Sequence, residues 1–211
     1  MIDIAPTITA FDNHEYRKQM EQITAFAERV HIDLMDGNFA PTKSPALDSI
    51  WWPDGMQADI HLMYQHPMDY LDTLLKLKPS LVIVHIEANL DHREFSKQLH
   101  EHYIKAGLAV LQDTPIDGAV RLMDCYDHLL VFSGKLGFHG GEANLDLLQK
   151  VQQARDYNAE TEIGWDGGIN DQNVRQLVDA GVQVLNVGGF IQKASEPAAA
   201  YQKLQNILVE L

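Results

Sequence analysis

His31-Ile-Asp33-Leu-Met35-Asp36-Gly37 is typical of a β-strand that ends in an Asp-Gly turn. Because side chains alternate between the two faces of a strand, His31, Asp33 and Met35 are expected to project to one side. A second stretch, DIHLM at 59–63, repeats this arrangement, and a third, IGWDGG at 163–168, places a carboxylate before a glycine pair. Polar side chains therefore fall at or near the ends of three predicted strands.

Strand-like and helix-like segments alternate along the whole chain. Short apolar runs predict eight strands, at residues 2–8, 29–35, 58–63, 81–86, 107–111, 128–132, 162–165 and 183–187. Segments with helical spacing lie between them, at residues 16–28, 47–52, 68–77, 93–103, 116–123, 145–157, 171–180 and 198–209. Eight such alternations, without a linker, predict one α/β domain over residues 1–211, a (β/α)8 TIM barrel. A doubly wound parallel sheet is the alternative.

Local signals mark several helix ends. Asp171 is predicted to cap the helix after Gly168, Pro67 suits a first helical turn, and Gly181 has the C′ position after a helix. In a barrel the C-terminal ends of the strands meet at one face, where active sites lie. The polar strand ends are therefore predicted to converge at that face.

The composition indicates a globular protein with an acidic surface. Hydrophobic residues make up 45% of the chain and the formal net charge is −14, with no basic run. This charge argues against a nucleic-acid partner, since phosphate backbones favour clustered Lys and Arg. No apolar stretch reaches the roughly 18 residues of a membrane span. The single cysteine, Cys125, excludes an intramolecular disulfide, and with the lack of a signal segment it predicts a cytoplasmic protein.

Four polar residues at the strand ends form a candidate metal-binding set. His31 and Asp33 come from the second predicted strand, His61 from the third and Asp166 from the seventh. Two imidazoles and two carboxylates suit Zn²⁺, Mn²⁺, Fe²⁺ or Co²⁺ better than Ca²⁺ or Cu⁺. Other histidines have no ligand spacing and are predicted to lie on the surface or on helices: His92, His100, His102 and His128.

These motifs resemble the ribulose-phosphate 3-epimerase family, metal-dependent TIM barrels, from end to end. The matching segments are residues 4–8, 31–41, 59–63, 84–88, 114–115, 137–138, 140–141 and 166–170. The resemblance implies an isomerase of the pentose phosphate pathway that converts ribulose 5-phosphate to xylulose 5-phosphate by inverting C3 through an enediolate. It also implies one divalent metal ion held by His31, Asp33, His61 and Asp166, with Asp33 and Asp166 as the acid/base pair. A small-molecule sugar phosphate as partner and a homo-oligomeric state are implied as well.

The resemblance further implies contacts with the substrate. Met35 and Met63 resemble the family's sulfur-lined cap over the intermediate, and Thr7 keeps the hydroxyl of the family's serine. Barrels commonly bind phosphate through loop N–H groups after strands 7 and 8. Three glycine pairs are predicted to lie at that end: Gly140 and Gly141, Gly167 and Gly168, and Gly188 and Gly189. His85 and Glu87 also match the family and are expected behind the metal ligands.

The loops at the substrate end depart from the family's pattern. After strand 6 the family usually has Asn-Pro-Gly-Phe-Gly-Gly-Gln, whereas this chain has SGKLGFHGGE at 133–142. After strand 8 the family's Gly-Ser becomes Gly188-Gly189, which removes a hydroxyl that would donate to phosphate. Lys43, Lys135 and His139 are candidates for supplying the lost charge.

Three other functions stay open. Because the loops that choose the sugar differ, the substrate can be another ketose phosphate such as allulose 6-phosphate. A lyase of the wider phosphate-binding barrel group is disfavoured, since its Asp-x-Lys-x-x-Asp strand motif needs a lysine that is absent between Asp33 and Asp36. A non-catalytic barrel that binds a sugar phosphate is the third.

Overall fold

Eight parallel strands close into a barrel in the computed structural model, which describes residues 2–209. Each strand pairs with its neighbours in chain order, and β8 closes the barrel against β1. The strands β1 to β8 are Asp3–Thr9, Arg29–Met35, Gln57–Met63, Leu81–His85, Lys105–Val110, His128–Phe132, Glu162–Asp166 and Val184–Val187. The predicted TIM barrel is confirmed, and the doubly wound alternative is wrong.

The helices lie on the outside of the barrel. The α-helices α1 to α8 are Asn13–Ile23, Leu71–Leu77, His92–Glu101, Asp117–Val120, Leu148–Tyr157, Val174–Asp179, Gly189–Gln192 and Pro197–Val209. Short 3₁₀ turns are Leu47–Ser49, Pro67–Tyr70 and Leu145–Leu147. The β2–β3 connection thus carries only a 3₁₀ turn where the sequence predicted a helix, and α7, which the sequence did not predict, follows β8.

Side-chain capping explains where several helices begin. Asp12 caps α1 by accepting a hydrogen bond from the Glu15 N–H over 2.8 Å, so this helix starts before the predicted residue 16. Asp171 does not cap a helix, because α6 begins only at Val174 and Asp171 instead pairs with a lysine of α8. Pro67 does open its 3₁₀ turn, and Gly181 does follow α6, with φ of 105°.

Apolar side chains pack on both faces of the barrel strands. The larger cluster lies between the outer face of the strands and the helices, and it includes Trp165, Phe95 and Met20. A much smaller cluster fills the barrel interior: Leu81, Ile83, Ala109 and Leu130. Every residue of β2 is buried, as expected for a strand covered on both faces. The interior core is short, so polar side chains occupy both ends of the barrel.

The N-terminal end of the barrel holds an ionic cluster that we call the barrel floor: Asp3, Arg29, Asp59, His128 and Glu162. The Arg29 guanidinium lies 2.7 Å from Asp59, 2.9 Å from Asp3 and 3.2 Å from Glu162. His128 Nδ1 lies 2.7 Å from Glu162. The prediction that His128 is a surface or helix residue is wrong, since it begins β6 and is buried. The other three histidines of that prediction do lie on or beside α3.

At the opposite end, the loops after β6 and β7 pack closely together. A Cβ on Gly168 would lie 2.0 Å from the backbone N of Ala143, and one on Gly167 would lie 2.3 Å from that of Gly134. Both glycines also have positive φ. Only glycine fits these two positions, which hold the β6 loop over the C-terminal face of the barrel. Among residues 2–209, no helix is long and apolar enough to cross a membrane.

Candidate metal centre and substrate cavity

The four predicted metal ligands meet at the C-terminal face of the barrel. One ligand atom each from His31, Asp33, His61 and Asp166 lie within 4.8 Å of one another, and all four residues are buried. His61 Nδ1 lies 2.9 Å from Asp33 Oδ1 and 3.4 Å from His31 Nε2. Asp166 Oδ2 lies 3.8 Å from each of these two histidine nitrogens. We call these residues the four-ligand centre.

Strand pairing explains this convergence. Asp33 of β2 is directly opposite His61 of β3, so the two side chains leave neighbouring strands at one level and on one face. Asp166 is the last residue of β7, across the barrel mouth. The donor set fits a borderline divalent ion, because neutral imidazole and carboxylate both ligate Zn²⁺, Mn²⁺, Fe²⁺ and Co²⁺. These four side chains therefore support the prediction of a possible metal site.

The two carboxylates have opposite tendencies to ionise. Burial opposes ionisation of Asp33, but its hydrogen bonds with His31 and His61 outweigh burial and hold its pKa well below the usual range. Burial and the nearby charge of Asp33 raise the pKa of Asp166 to about 7. Burial also lowers the pKa of His61 to about 3, which keeps this imidazole neutral. One carboxylate thus carries the charge and the other holds a proton near neutral pH.

A row of side chains supports the centre from behind. His61 Nε2 lies 2.8 Å from His85 Nε2, and His85 Nδ1 lies 3.4 Å from Glu87 Oε2. Glu87 in turn accepts a hydrogen bond from the Leu111 N–H over 3.0 Å. The row fixes the ring of His61 with Nδ1 toward the centre. Its placement agrees with the expectation for His85 and Glu87.

Thr9, which no sequence pattern indicated as a site residue, holds the second oxygen of Asp33. Its hydroxyl donates a hydrogen bond of 2.7 Å to Asp33 Oδ2. Thr9 lies at the end of β1, directly opposite Asp33 in the strand register. This bond leaves Oδ1 of the same carboxylate toward the two histidines.

A cavity of about 310 Å³ opens directly above the four-ligand centre. Asp33 and Asp166 contribute to its inner end, and Thr7 and Met63 line its wall. All six predicted phosphate glycines also line it: Gly140, Gly141, Gly167, Gly168, Gly188 and Gly189. Met35 is buried beside Met63 in a small apolar cluster and does not line the cavity. The cavity therefore joins the four-ligand centre to the glycine loops.

Known proteins match this chain over nearly its whole length. A family model described as the ribulose-phosphate 3 epimerase family matches residues 3–192. The chain belongs to the ribulose-phosphate 3-epimerase family. It is 30% identical to the ribulose-phosphate 3-epimerase of Helicobacter pylori, with 97% of each chain covered. It is 29% identical to that of Aquifex aeolicus, with 98% of this chain and 96% of the relative covered. These relatives are isomerases that act on carbohydrates.

Solved structures share the fold at low sequence identity. A 3-hexulose-6-phosphate synthase from Salmonella typhimurium superposes with a TM-score of 0.74 at 16% identity, covering 99% of both chains. A 3-keto-L-gulonate-6-phosphate decarboxylase from Vibrio cholerae gives 0.76 at 9% identity, covering 99% of this chain and 98% of that one. At such identities the likeness shows the barrel fold alone.

Within the family framework, the loops around the cavity mouth carry this chain's own features. Of the side chains predicted to supply the lost charge, His139 lines the cavity, with its ring against Phe11. Lys135 lies over the Phe138 ring and does not line the cavity. Lys43 does not line the cavity either. The lysine that does is Lys193, whose Nζ would lie 3.5 Å from a Cβ on Gly140. Lys193 directly follows α7, a helix the sequence did not predict, so no pattern pointed to it.

Asn186, in the cavity wall, was not predicted from the sequence either. Asn186 is 2% exposed, and neither atom of its amide has a hydrogen-bond partner within the part of the chain that the structure describes. Leaving such a buried polar group unpaired costs about 1–3 kcal/mol. The strand sequence VLNV could have indicated this residue, because an amide is unusual in an otherwise apolar strand.

Proposed function

We propose that this chain is a metal-dependent epimerase that interconverts ribulose 5-phosphate and xylulose 5-phosphate by inverting C3. The observation that carries the proposal is the convergence of two carboxylates and two imidazoles at the inner end of one cavity. Family membership supports the same reaction. We further propose that residues 1–211 form one domain, since the barrel closes on itself.

His31, Asp33, His61 and Asp166 would hold the metal ion, which we infer to be Zn²⁺, Fe²⁺, Mn²⁺ or Co²⁺. When bound, a divalent ion stabilises, as a Lewis acid, the negative charge that develops on the substrate when C3 loses its proton. All four side chains are buried, so the protein shields this region from bulk water. Low local polarity strengthens every charge interaction there.

Asp33 and Asp166 are proposed to be the acid/base pair. Inversion requires removal of a proton from one face of the carbon and delivery of a proton to the other face through an enediolate. Asp33 on β2 and Asp166 on β7 are separated around the barrel by β1 and β8, so a substrate carbon between them has a carboxyl group on each side. Before the ion binds, the pKa of Asp33 is lowered and that of Asp166 is raised, so the surroundings of the two carboxyl groups already give them different tendencies to hold a proton.

The outer end of the cavity is proposed to bind the phosphate. Backbone N–H groups beside the glycine pairs after β7 and β8 can donate to phosphate oxygens, as in other barrels. The Lys193 amine at the cavity wall adds a positive charge that offsets the loss of the family's serine. Thr7 and Met63 are proposed to contact the sugar between the two ends, with Met35 supporting Met63 from behind.

A six-carbon ketose phosphate such as allulose 6-phosphate is the second candidate substrate. It is favoured by the departures from the family's pattern in the loops after β6 and β8, which border the outer end of the cavity. A cytoplasmic location and a homo-oligomeric state stay predictions, and light scattering on the purified protein tests the second.

Elemental analysis and product analysis test the proposal together. The purified protein is expected to hold about one divalent ion per chain and to convert ribulose 5-phosphate to xylulose 5-phosphate, followed by NMR. Asp166→Asn should abolish conversion, whereas Asp179→Asn, at the exposed end of α6, should not change it. A metal-free protein with no activity on either ketose phosphate would instead support a non-catalytic sugar-phosphate-binding barrel.

A further inference from the structure

Asn186 is the one polar residue of β8, in a strand whose other members are Val184, Leu185 and Val187. Asparagine is disfavoured in strands, and here both its amide oxygen and its amide nitrogen are buried without a partner in the described part of the chain. The side chain lines the cavity. A buried amide that faces a cavity and has no protein partner is suited to bind a ligand's polar group.

The strand register places Asn186 between the two ends of the cavity. It is directly opposite Asp166 of β7, at the reacting end, and Gly188 of the phosphate loop follows two residues later. β1 lies on the other side of Asn186. There the buried hydroxyl of Thr7 also has no hydrogen-bond partner among residues 2–209. Asn186 therefore lies beside the reacting end of the cavity, two residues before the glycine pair at its phosphate end.

The chemistry of the amide defines what it would recognise. A carboxamide offers a donor and an acceptor, as a hydroxyl group does, so the two are complementary. In a ketose phosphate, the carbon next to C3 on the phosphate side carries a hydroxyl at C4. An aliphatic side chain at position 186 would fit the apolar pattern of β8 equally well but would leave that hydroxyl without a partner.

We propose that Asn186 is a specificity-determining residue that hydrogen-bonds the substrate hydroxyl on C4, between the reacting carbon and the phosphate. This inference rests on the proposed function and deepens it, because it names the class of substrate: ketose phosphates with a hydroxyl on the carbon next to C3. Substrates that lack this hydroxyl leave the buried amide unpaired and are discriminated against.

Two substrates and two proteins test the proposal in one cycle. The rate of C3 hydrogen exchange in heavy water is measured for ribulose 5-phosphate and for its 4-deoxy analogue, with wild type and with Asn186→Leu. Wild type is expected to prefer ribulose 5-phosphate roughly 10- to 100-fold in kcat/KM. Asn186→Leu, which removes only the polar atoms from a similar shape, should lose most of that preference. Asn206→Leu, on an exposed position of α8, should keep it.

The outcomes separate the two claims. Exchange of ribulose 5-phosphate by wild type supports the proposed function whatever Asn186 does, and no exchange of any ketose phosphate overturns both claims. A wild-type preference near one, or an Asn186→Leu variant that slows both substrates equally, overturns the role of Asn186 alone. Asn186→Ala and thermal unfolding of each variant show whether a loss of rate reflects a loss of folding.

Discussion

Metal affinity should depend steeply on pH, because two of the four ligands hold protons in the metal-free protein. Asp166 has a pKa raised to about 7 by burial and by the charge of Asp33. The pKa of the His31 imidazole is raised as well. Burial disfavours the charged form of His31, but its hydrogen bond with Asp33 outweighs that effect. Both protons must leave before a divalent ion can bind. Below pH 7, affinity should therefore rise by about 10- to 100-fold per pH unit, and the slope should decrease above it.

The sign of the effect follows from these shifts. Both raised pKa values mean that protons compete with the metal on the acid side, so affinity is lost as the pH falls. Titration of metal-free protein with Zn²⁺ or Mn²⁺ against a chromophoric chelator, between pH 5.5 and 8.5, measures the slope. Asp166→Asn should weaken binding and reduce the slope by about one proton, whereas Asp146→Asn, exposed after β6, should change neither. A flat profile in wild type, or an unchanged slope in Asp166→Asn, would refute this reasoning.

Three further predictions test other parts of the structure. Thr9→Val removes the 2.7 Å hydrogen bond to Asp33, and it should lower kcat/KM for C3 exchange about 10-fold and the free energy of unfolding by about 1–3 kcal/mol, because a buried carboxylate oxygen loses its partner; an unchanged kcat/KM would contradict the role of this bond. Lys193→Met should raise KM about 3- to 10-fold and leave kcat nearly unchanged, because we propose that the amine binds only the phosphate, and Lys43→Met, outside the cavity, serves as the control that should change neither. Arg29→Met leaves Asp59 buried without its guanidinium partner, and urea unfolding should show a loss of about 3–5 kcal/mol. The double variant Arg29→Met/Asp59→Leu should recover much of the lost stability. If Arg29→Met were as stable as wild type, this would contradict the account of the barrel floor.

The sequence predicted the parts of the fold that depend on local patterns. The bounds of β2 and β6 are as predicted, because β6 (HLLVF) is an apolar run after one histidine and β2 (RVHIDLM) alternates polar and apolar side chains up to an Asp-Gly turn. The region after β2 was not predictable in this way, since residues 47–52 have helical spacing but form only a 3₁₀ turn. His128 was also misplaced, because its hydrogen-bond partner, the half-buried Glu162, comes from another strand and no local pattern indicates that pairing.

In the candidate site too, local patterns predicted some residues, whereas contacts between distant segments determine the others. His31, Asp33, His61 and Asp166 were predictable because alternation along a strand and the barrel fold together place them at one face. Thr9 and Asn186 were missed, since their role depends on strand register and on which side chains leave a polar atom unpaired. Lys193 was missed because it follows a helix of only four residues.

The most direct test of the central claim is the fate of the C3 hydrogen. Ribulose 5-phosphate is incubated with the metal-loaded protein in heavy water, and both epimers are analysed by NMR and mass spectrometry. Two opposed carboxyl groups predict xylulose 5-phosphate that carries one solvent deuterium at C3 and none at any other carbon. The deuterium should also appear at C3 of the recovered ribulose 5-phosphate, and removal of the metal with a chelator should stop both changes. Xylulose 5-phosphate that retains its original hydrogen at C3 would contradict the account.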